Sequence, residues 1–220
     1  MTPRVAGLYA VTPDIEDTPE LLMKVEAALA GGARLLQYRN KTASPALRLA
    51  QGRALLALCW KYQAPLIIND HLDLALALDA DGLHVGGEDR LPAEARKQLG
   101  PDKILGVSCY GRLDNALAAA NAGATYVAFG GFFPSTVKPG SARNPIGLLR
   151  EAKSRLKIPV VAIGGITVEN APQLIQAGVD SVAVISALFA AADIKLAAQD
   201  FSALFPEPRE KTDAARRQAE

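Results

Sequence analysis

The sequence predicts a single (β/α)₈ barrel of the TIM type, and three observations carry that prediction. Short apolar runs alternate with helical segments eight times along the chain, the pattern of repeated βαβ units and a parallel sheet. At 220 residues the chain has the length of one α/β barrel. Half of its residues are apolar and only 5% are aromatic, so the core is built mainly from Ala, Val, Leu and Ile, as in a parallel sheet covered by helices.

The apolar runs are Val5 to Val11, Arg34 to Tyr38, Pro65 to Ile68, Gly82 to Val85, Ile104 to Ser108, Tyr126 to Phe129, Pro159 to Ile163 and Ser181 to Ile185. Thr18-Pro19 and Ser44-Pro45 each place a capping hydroxyl before a proline at the first helical position, which marks two helix starts. In the first of these helices Leu21, Leu22, Val25, Ala28 and Leu29 form one stripe at 3.6-residue spacing, and Gly31-Gly32 terminates it. A weak internal repeat marks helix exits: Ala-Gly-Gly-Ala, Ala-Asp-Gly, Ala-Gly-Ala and Ala-Gly-Val precede strands two, four, six and eight. Closing eight units into a barrel removes the two edges that an open sheet would have to protect. The barrel is expected over residues 1–205, followed by a loose, polar tail at 206–220 with no apolar stripe to bury.

Twenty-four basic against 23 acidic residues leave a net charge of +1, which points away from nucleic acid and from membrane surfaces. No apolar run reaches the roughly 18 residues of a membrane span, and no secretion signal is visible at the start. Cys59 and Cys109 sit in apolar stretches without metal-like spacing, as buried thiols do in a reducing cytoplasm. A soluble, cytoplasmic protein is the expectation.

In such a barrel the C-terminal ends of the strands face the active site, and the polar residues of this chain concentrate there. Strand two ends Gln37-Tyr38-Arg39-Asn40-Lys41; alternation puts Gln37 and Arg39 on one face with Lys41 just beyond. An arginine fork beside a lysine suits a di- or triphosphate anion better than a carboxylate alone, although a solvated charged loop reads the same way. Strand three ends Asn69-Asp70-His71, and strand four ends His84-Val85-Gly86-Gly87-Glu88-Asp89. Mg²⁺ is held by one or two carboxylates with water and phosphate oxygens completing its shell, so Asp70 and Asp89 fit a Mg²⁺-diphosphate site; either is equally readable as a helix cap or turn residue. The two histidines lack a third ligand and helical spacing, which argues against zinc. His84, expected near the pocket mouth, either orients a phosphate or substrate amine or serves the structure. Ser108 closes strand five. Strand six continues into Gly130–Pro139, a loop bounded by Gly and Pro that carries Ser135, Thr136, Val137 and Lys138 and can close over phosphates. Gly164-Gly165 after strand seven and Ile185-Ser186 after strand eight lie where many barrels hold a monophosphate.

The ordered set Gln-x-Arg-x-Lys, Ile-Asn-Asp, His-x-Gly-x-Glu-Asp, Gly-Val-Ser, Phe-Pro-Ser-x-x-Lys, Gly-Gly-Ile and Val-Ile-Ser, at successive strand ends, resembles the thiamine phosphate synthase family over about Gly7 to Ala192. The resemblance implies that Gln37, Arg39, Lys41, Asn69, Ser108 and Lys138 bind 4-amino-2-methyl-5-hydroxymethylpyrimidine diphosphate, with Tyr38 and Asn40 in the same binding segment. It implies one Mg²⁺ per subunit on Asp70 and Asp89, and a thiazole phosphate on Ser135, Thr136 and the backbone at Val137, Gly165, Ile185 and Ser186. Two positions depart from the family's pattern: Gly87, where Gln is common, and Val137, where a hydroxyl residue is common. The chemistry implied is departure of diphosphate from the pyrimidine methylene, stabilisation of the cation by the aminopyrimidine, and attack by the thiazole nitrogen. Arg39, Lys41, Ser108 and Lys138 are the expected catalytic groups. Three rivals stand beside this reading: a thiazole tautomerase, which has no diphosphate to bind; a phosphosugar isomerase or aldolase, which leaves the paired Asp unexplained; and a catalytically silent barrel that binds a thiamine precursor.

Overall fold

The computed structural model describes residues 5–86, 92–134 and 144–206. Eight parallel strands close on themselves in sequence order: β1 (Gly7–Val11), β2 (Leu35–Tyr38), β3 (Leu66–Asn69), β4 (Gly82–Gly86), β5 (Ile104–Tyr110), β6 (Tyr126–Gly130), β7 (Val160–Ile163) and β8 (Ser181–Val184). Each agrees with its apolar run to within two residues. The connecting helices are α1 (Thr18–Ala30), α2 (Pro45–Lys61), α3 (Leu72–Ala77), α4 (Pro92–Leu99), α5 (Leu113–Asn121), α6 (Gly147–Arg155) and α7 (Ala171–Gln176), and the chain continues through α8 (Ser186–Phe189) and α9 (Ile194–Ala203).

Every strand is buried on both faces, and alternation sorts its side chains into two cores. On β2, Leu36 and Tyr38 join the large apolar layer between barrel and helices, whereas Leu35 joins Tyr9, Ile67, Ile104 and Tyr126 in the small core inside the barrel. Gly106 on β5 is opposite Tyr126 on β6. A Cβ at Gly106 would fall within the Tyr126 ring, so the glycine is the space that the ring occupies.

Local chemistry explains the helix ends. Ser44 caps α2 as expected, its hydroxyl accepting from the Leu47 amide at 3.2 Å. For α1 the cap is Asp17 rather than Thr18: its carboxylate accepts from the Glu20 amide at 2.7 Å and Thr18 is already helical. A carboxylate is an equal or better cap and also complements the positive end of the helix dipole. The helix exits at Gly32, Gly123 and Gly178 all have φ between +89° and +103°, which explains the repeated Ala-Gly signature. The Ala-Asp-Gly before strand four works differently, because there Asp79 takes the left-handed conformation (φ 49°) and Gly82 is already in the strand.

At the N-terminal rim of the barrel, side chains accept strand-entry amides. Asp81 takes the Leu66 N–H at 2.8 Å, Asp180 takes the Val160 N–H at 2.8 Å while pairing with Lys153, and Thr125 takes the Leu105 N–H at 3.0 Å. No helix among the described residues is long and apolar enough to cross a membrane. Cys59 and Cys109 are free and buried, and burial pushes both thiols up to about 12. The expected tail lies almost wholly outside the described residues.

Because interiors are close-packed, Gly106→Ala is expected to cost about 1–3 kcal/mol by overpacking against Tyr126. Urea denaturation followed by circular dichroism should show a lower midpoint at an unchanged slope; an unchanged midpoint would mean that the ring can give way freely.

Candidate active site

The C-terminal ends of the strands surround a cavity of about 640 Å³. Its lining includes Gln37, Arg39 and Lys41 from the end of β2, Asn69 and Asp70 from β3, His84 from β4, Ser108 from β5 and Gly165, Ile185 and Ser186 after β7 and β8. Each of these carries a functional expectation from its place at a strand end. Asp89, Ser135, Thr136, Val137 and Lys138, and the departing position Gly87, lie outside the described residues.

Tyr38 and Asn40 do not line this cavity. Tyr38 is on the outward face of β2, where its hydroxyl donates to Gln51 Oε1 at 2.7 Å; burial pushes it up to about 12. Asn40 Nδ2 donates to the Ile15 carbonyl at 2.9 Å and to Gln51 Oε1 at 3.2 Å, and its Oδ1 accepts from the Ala43 amide at 3.0 Å. The period of two along the strand accounts for this: Gln37, Arg39 and Lys41 face the ligand space while the residues between them face the helices. Gln51 on α2, fully buried, completes the clasp by donating to the carbonyls of Ile15 and Glu16. It ties the loop after β1 to the loop after β2.

That clasp fixes the basic residues. Thr12, at 0% exposure, bridges both directions to Arg39, donating to its carbonyl at 2.8 Å and accepting from its amide at 2.9 Å. Asp14 accepts from the Lys41 amide at 2.7 Å and from one terminal nitrogen of Arg39 at 3.3 Å. The Asp14–Arg39 contact is long and uses one guanidinium nitrogen, so the fork keeps donors for an anion in the cavity.

On β3, Asn69 Nδ2 donates to Asp70 Oδ2 at 2.6 Å, and the Asp70 amide donates to the His84 carbonyl at 2.8 Å. Asp70 adopts φ 60°, which a non-glycine residue rarely takes and which clusters at functional sites. His71, next in sequence, turns away and pairs with Arg48. No group of three or more His, Cys, Asp or Glu side chains that could hold a metal occurs among the described residues. Asp70, one carboxylate of the expected pair, lines the cavity. After β7, Gly165 combines φ 65° with carbonyls of Phe133 and Pro134 pressed against the position of a Cβ, so no other residue fits there without backbone movement. Asn144 donates to the Gly130 carbonyl and fixes the far end of the loop after β6.

The floor of the cavity is a polar column across the barrel. Gln37 Nε2 donates to the Tyr9 hydroxyl at 2.9 Å, the Tyr9 and Tyr126 hydroxyls are 2.8 Å apart, Tyr126 is 2.8 Å from His84 Nδ1, and His84 Nε2 is 2.8 Å from Ser108 Oγ. Burial pushes His84 down to about 4 and both tyrosines well up, so at neutral pH the column carries no charge. His84 is thus at the floor rather than the mouth.

The comparisons with known proteins agree on one family. A family model described as thiamine monophosphate synthase matches residues 8–188. The chain belongs to this family. A thiamine-phosphate synthase of Nitrosomonas eutropha is 55% identical over 202 residues, covering 92% of this chain and 95% of that protein. One from Methylobacillus flagellatus is 55% identical over 203 residues, covering 92% and 97%. Among solved structures, the thiamine phosphate pyrophosphorylase of Pyrococcus furiosus superposes with a TM-score of 0.81 at 36% identity, covering 90% of this chain and 95% of that one. A 3-hexulose-6-phosphate synthase at 20% identity and a TM-score of 0.66 shares the fold alone.

In this member of the thiamine monophosphate synthase family, strand-end patterning does not single out Tyr9, Asp14, Gln51 or Tyr126. Asp14 lies just beyond a strand end and is open to the same reading as Asp70; the others are interior or helical residues whose roles need the fold. Gln51→Leu is expected to cost about 1–3 kcal/mol for each buried partner that it orphans among Tyr38, Asn40 and the loop carbonyls. Thermal unfolding and the KM for the diphosphate substrate should both respond; a change in neither would show that the clasp is idle.

Proposed function

We propose that the protein is a thiamine phosphate synthase, joining 4-amino-2-methyl-5-hydroxymethylpyrimidine diphosphate to 4-methyl-5-(2-phosphoethyl)thiazole or its carboxylated form with release of diphosphate and, from the carboxylated form, of CO₂. The observation that carries the reading is the convergence of Gln37, Arg39, Lys41, Asn69, Asp70 and Ser108 on one cavity, in a chain 55% identical to proteins of that name. A tautomerase has no use for the basic and acidic groups on the β2 and β3 side.

The chain's groups divide the work by position. Gln37 and Ser108, at the two ends of the floor, meet the aminopyrimidine. Arg39 and Lys41, with Lys138 from the loop after β6, take the diphosphate. As the bond between methylene carbon and diphosphate oxygen breaks, its electron pair leaves with the diphosphate, and the basic groups stabilise the charge that accumulates there. The pyrimidine, with its electron-donating amino group, holds the resulting cation. The thiazole nitrogen then donates its lone pair to the methylene carbon, so no protein nucleophile is needed. The thiazole phosphate is assigned to Ser135, Thr136 and the backbone at Val137, Gly165, Ile185 and Ser186, where amides can face an anion.

Asp70 and Asp89 would hold one Mg²⁺ with their carboxylates. The residues present fit that ion: Asp70 presents a carboxylate to the cavity, the Asn69 amide orients it, and Mg²⁺ takes only one or two carboxylates from protein. When bound it neutralises leaving-group charge. The free, buried thiols of Cys59 and Cys109 support a reducing cytoplasm as the compartment.

An assay containing both substrates and Mg²⁺, following diphosphate and thiamine phosphate together, should give the two products in equal amounts and lose them on addition of EDTA. Arg39→Ala and Asp70→Ala should each reduce kcat/KM on the order of 10²- to 10³-fold. Wild-type turnover in either variant, or no product from the native chain, would overturn the assignment.

A further inference from the structure

The polar column on the cavity floor has a direction, and that direction decides what its last member can offer a ligand. Its four contacts join five side chains, and all but the amide of Gln37 bring a single hydrogen when His84 is neutral. Gln37 donates from Nε2 to the Tyr9 hydroxyl. Tyr9 oxygen thereby accepts, and its own hydrogen has the Tyr126 oxygen as its partner within the column, 2.8 Å away. The Tyr126 hydrogen then goes to His84 Nδ1 at 2.8 Å. The ring hydrogen of His84 is left on Nε2, which donates to Ser108 Oγ at 2.8 Å. Ser108 oxygen accepts, and its own O–H is left without a partner in the column, as is the second amide hydrogen of Gln37. Ser108 lines the cavity.

We infer that Tyr9, Tyr126 and His84 are positioning residues that order the protons of the floor, so that Ser108 meets the ligand as a hydrogen-bond donor and Gln37 meets it through its carbonyl oxygen. Turning the Gln37 amide over would reverse every step: Tyr9 would donate to Gln37, the ring hydrogen would sit on Nδ1, and Ser108 would spend its hydrogen on His84 and offer the ligand only a lone pair. The two orders are therefore mutually exclusive, and they present opposite faces at both ends. The low basicity that burial imposes on His84 agrees with a ring carrying one hydrogen.

The order also has a packing basis. Tyr126 is held edge-to-face against Tyr9, with ring centroids 5.9 Å apart and planes at 80°, and stacked on His84 at 5.6 Å and 26°. No buried side-chain nitrogen or oxygen among the described residues lacks a partner. A ligand that needs the Ser108 hydrogen depends on the whole column keeping this order, since the reversed order directs that hydrogen to His84. What the ligand is rests on the synthase reading; the proton order does not.

The test is the tautomer of His84. The chain has two histidines, so nitrogen-15 labelling of histidine in the full-length protein, with His71→Gln for assignment, isolates the His84 ring in a long-range proton–nitrogen correlation spectrum. A neutral ring protonated on Nε2 is expected. A ring protonated on Nδ1, or on both nitrogens, would overturn the order whatever the enzyme's activity, and a failed synthase assay would leave the tautomer result standing. A double-mutant cycle reads the consequence, with the affinity for the pyrimidine diphosphate measured by calorimetry in the presence of Mg²⁺. Tyr126→Phe should weaken binding about tenfold in the native background and little in Ser108→Ala, because residues acting through one another are not additive. Equal losses in both backgrounds would make Tyr126 a packing residue only and would refute the positioning role.

Discussion

A closed parallel barrel must fill its own interior, and here the filling near the active end is polar. Tyr9, Tyr126, His84 and Gln37 are all nearly or fully buried, and unpaired hydroxyls, amides or imidazoles at that depth would each cost on the order of 1–3 kcal/mol. They are tolerated because each satisfies the next. The consequence reaches upward: Gln37 and Ser108, the ends of the column, are also cavity-lining residues, so groups on the cavity wall are held by the groups that complete the core. Gly106 belongs to the same arrangement, since a side chain there would displace the Tyr126 ring on which two of the contacts depend.

Around that floor, the backbone of the loops that bear charge is fixed by hydrogen bonds from neutral side chains and from the Asp14 carboxylate. Thr12, Asn40 and Gln51 hold the backbone of the β1 and β2 loops, which leaves the ends of Arg39 and Lys41 for an anion. The Asp14–Arg39 pair is partly exposed, with side-chain exposures of 34% and 15%, and such pairs contribute little to stability. Its long single-nitrogen geometry suits a partner that an incoming diphosphate can replace. Rigid loop backbone with exchangeable side-chain ends is what preorganised binding of a leaving group requires.

Much of the site is legible in the sequence because strand ends in a barrel converge by construction. The polar residues at the C-terminal end of each apolar run include Gln37, Arg39, Lys41, Asn69, Asp70 and Ser108, and the cavity contains all of them. Adjacency groups Tyr38 and Asn40 with them, whereas their side chains serve the clasp to Gln51. The strand that carries His84 is evident from the sequence, but its depth is not. Asp17 displaces Thr18 as the cap of α1 because two capping residues in a row leave the choice to local geometry.

By itself, the sequence determined the eight units, their order, the closure of the sheet and the strand ends that line the cavity. These follow from periodicity, turn chemistry and the need to hide sheet edges, all of which are local or combinatorial. Only the tertiary structure decided that Tyr9 meets Tyr126 across 117 positions of chain, that Gln51 on one helix closes two loops, and that side chains from five strands join in one column under the cavity. A hydrogen-bonding column has no period and no motif; it exists only where distant strands bring its members within about 3 Å, and that distance is set by the closed barrel as a whole.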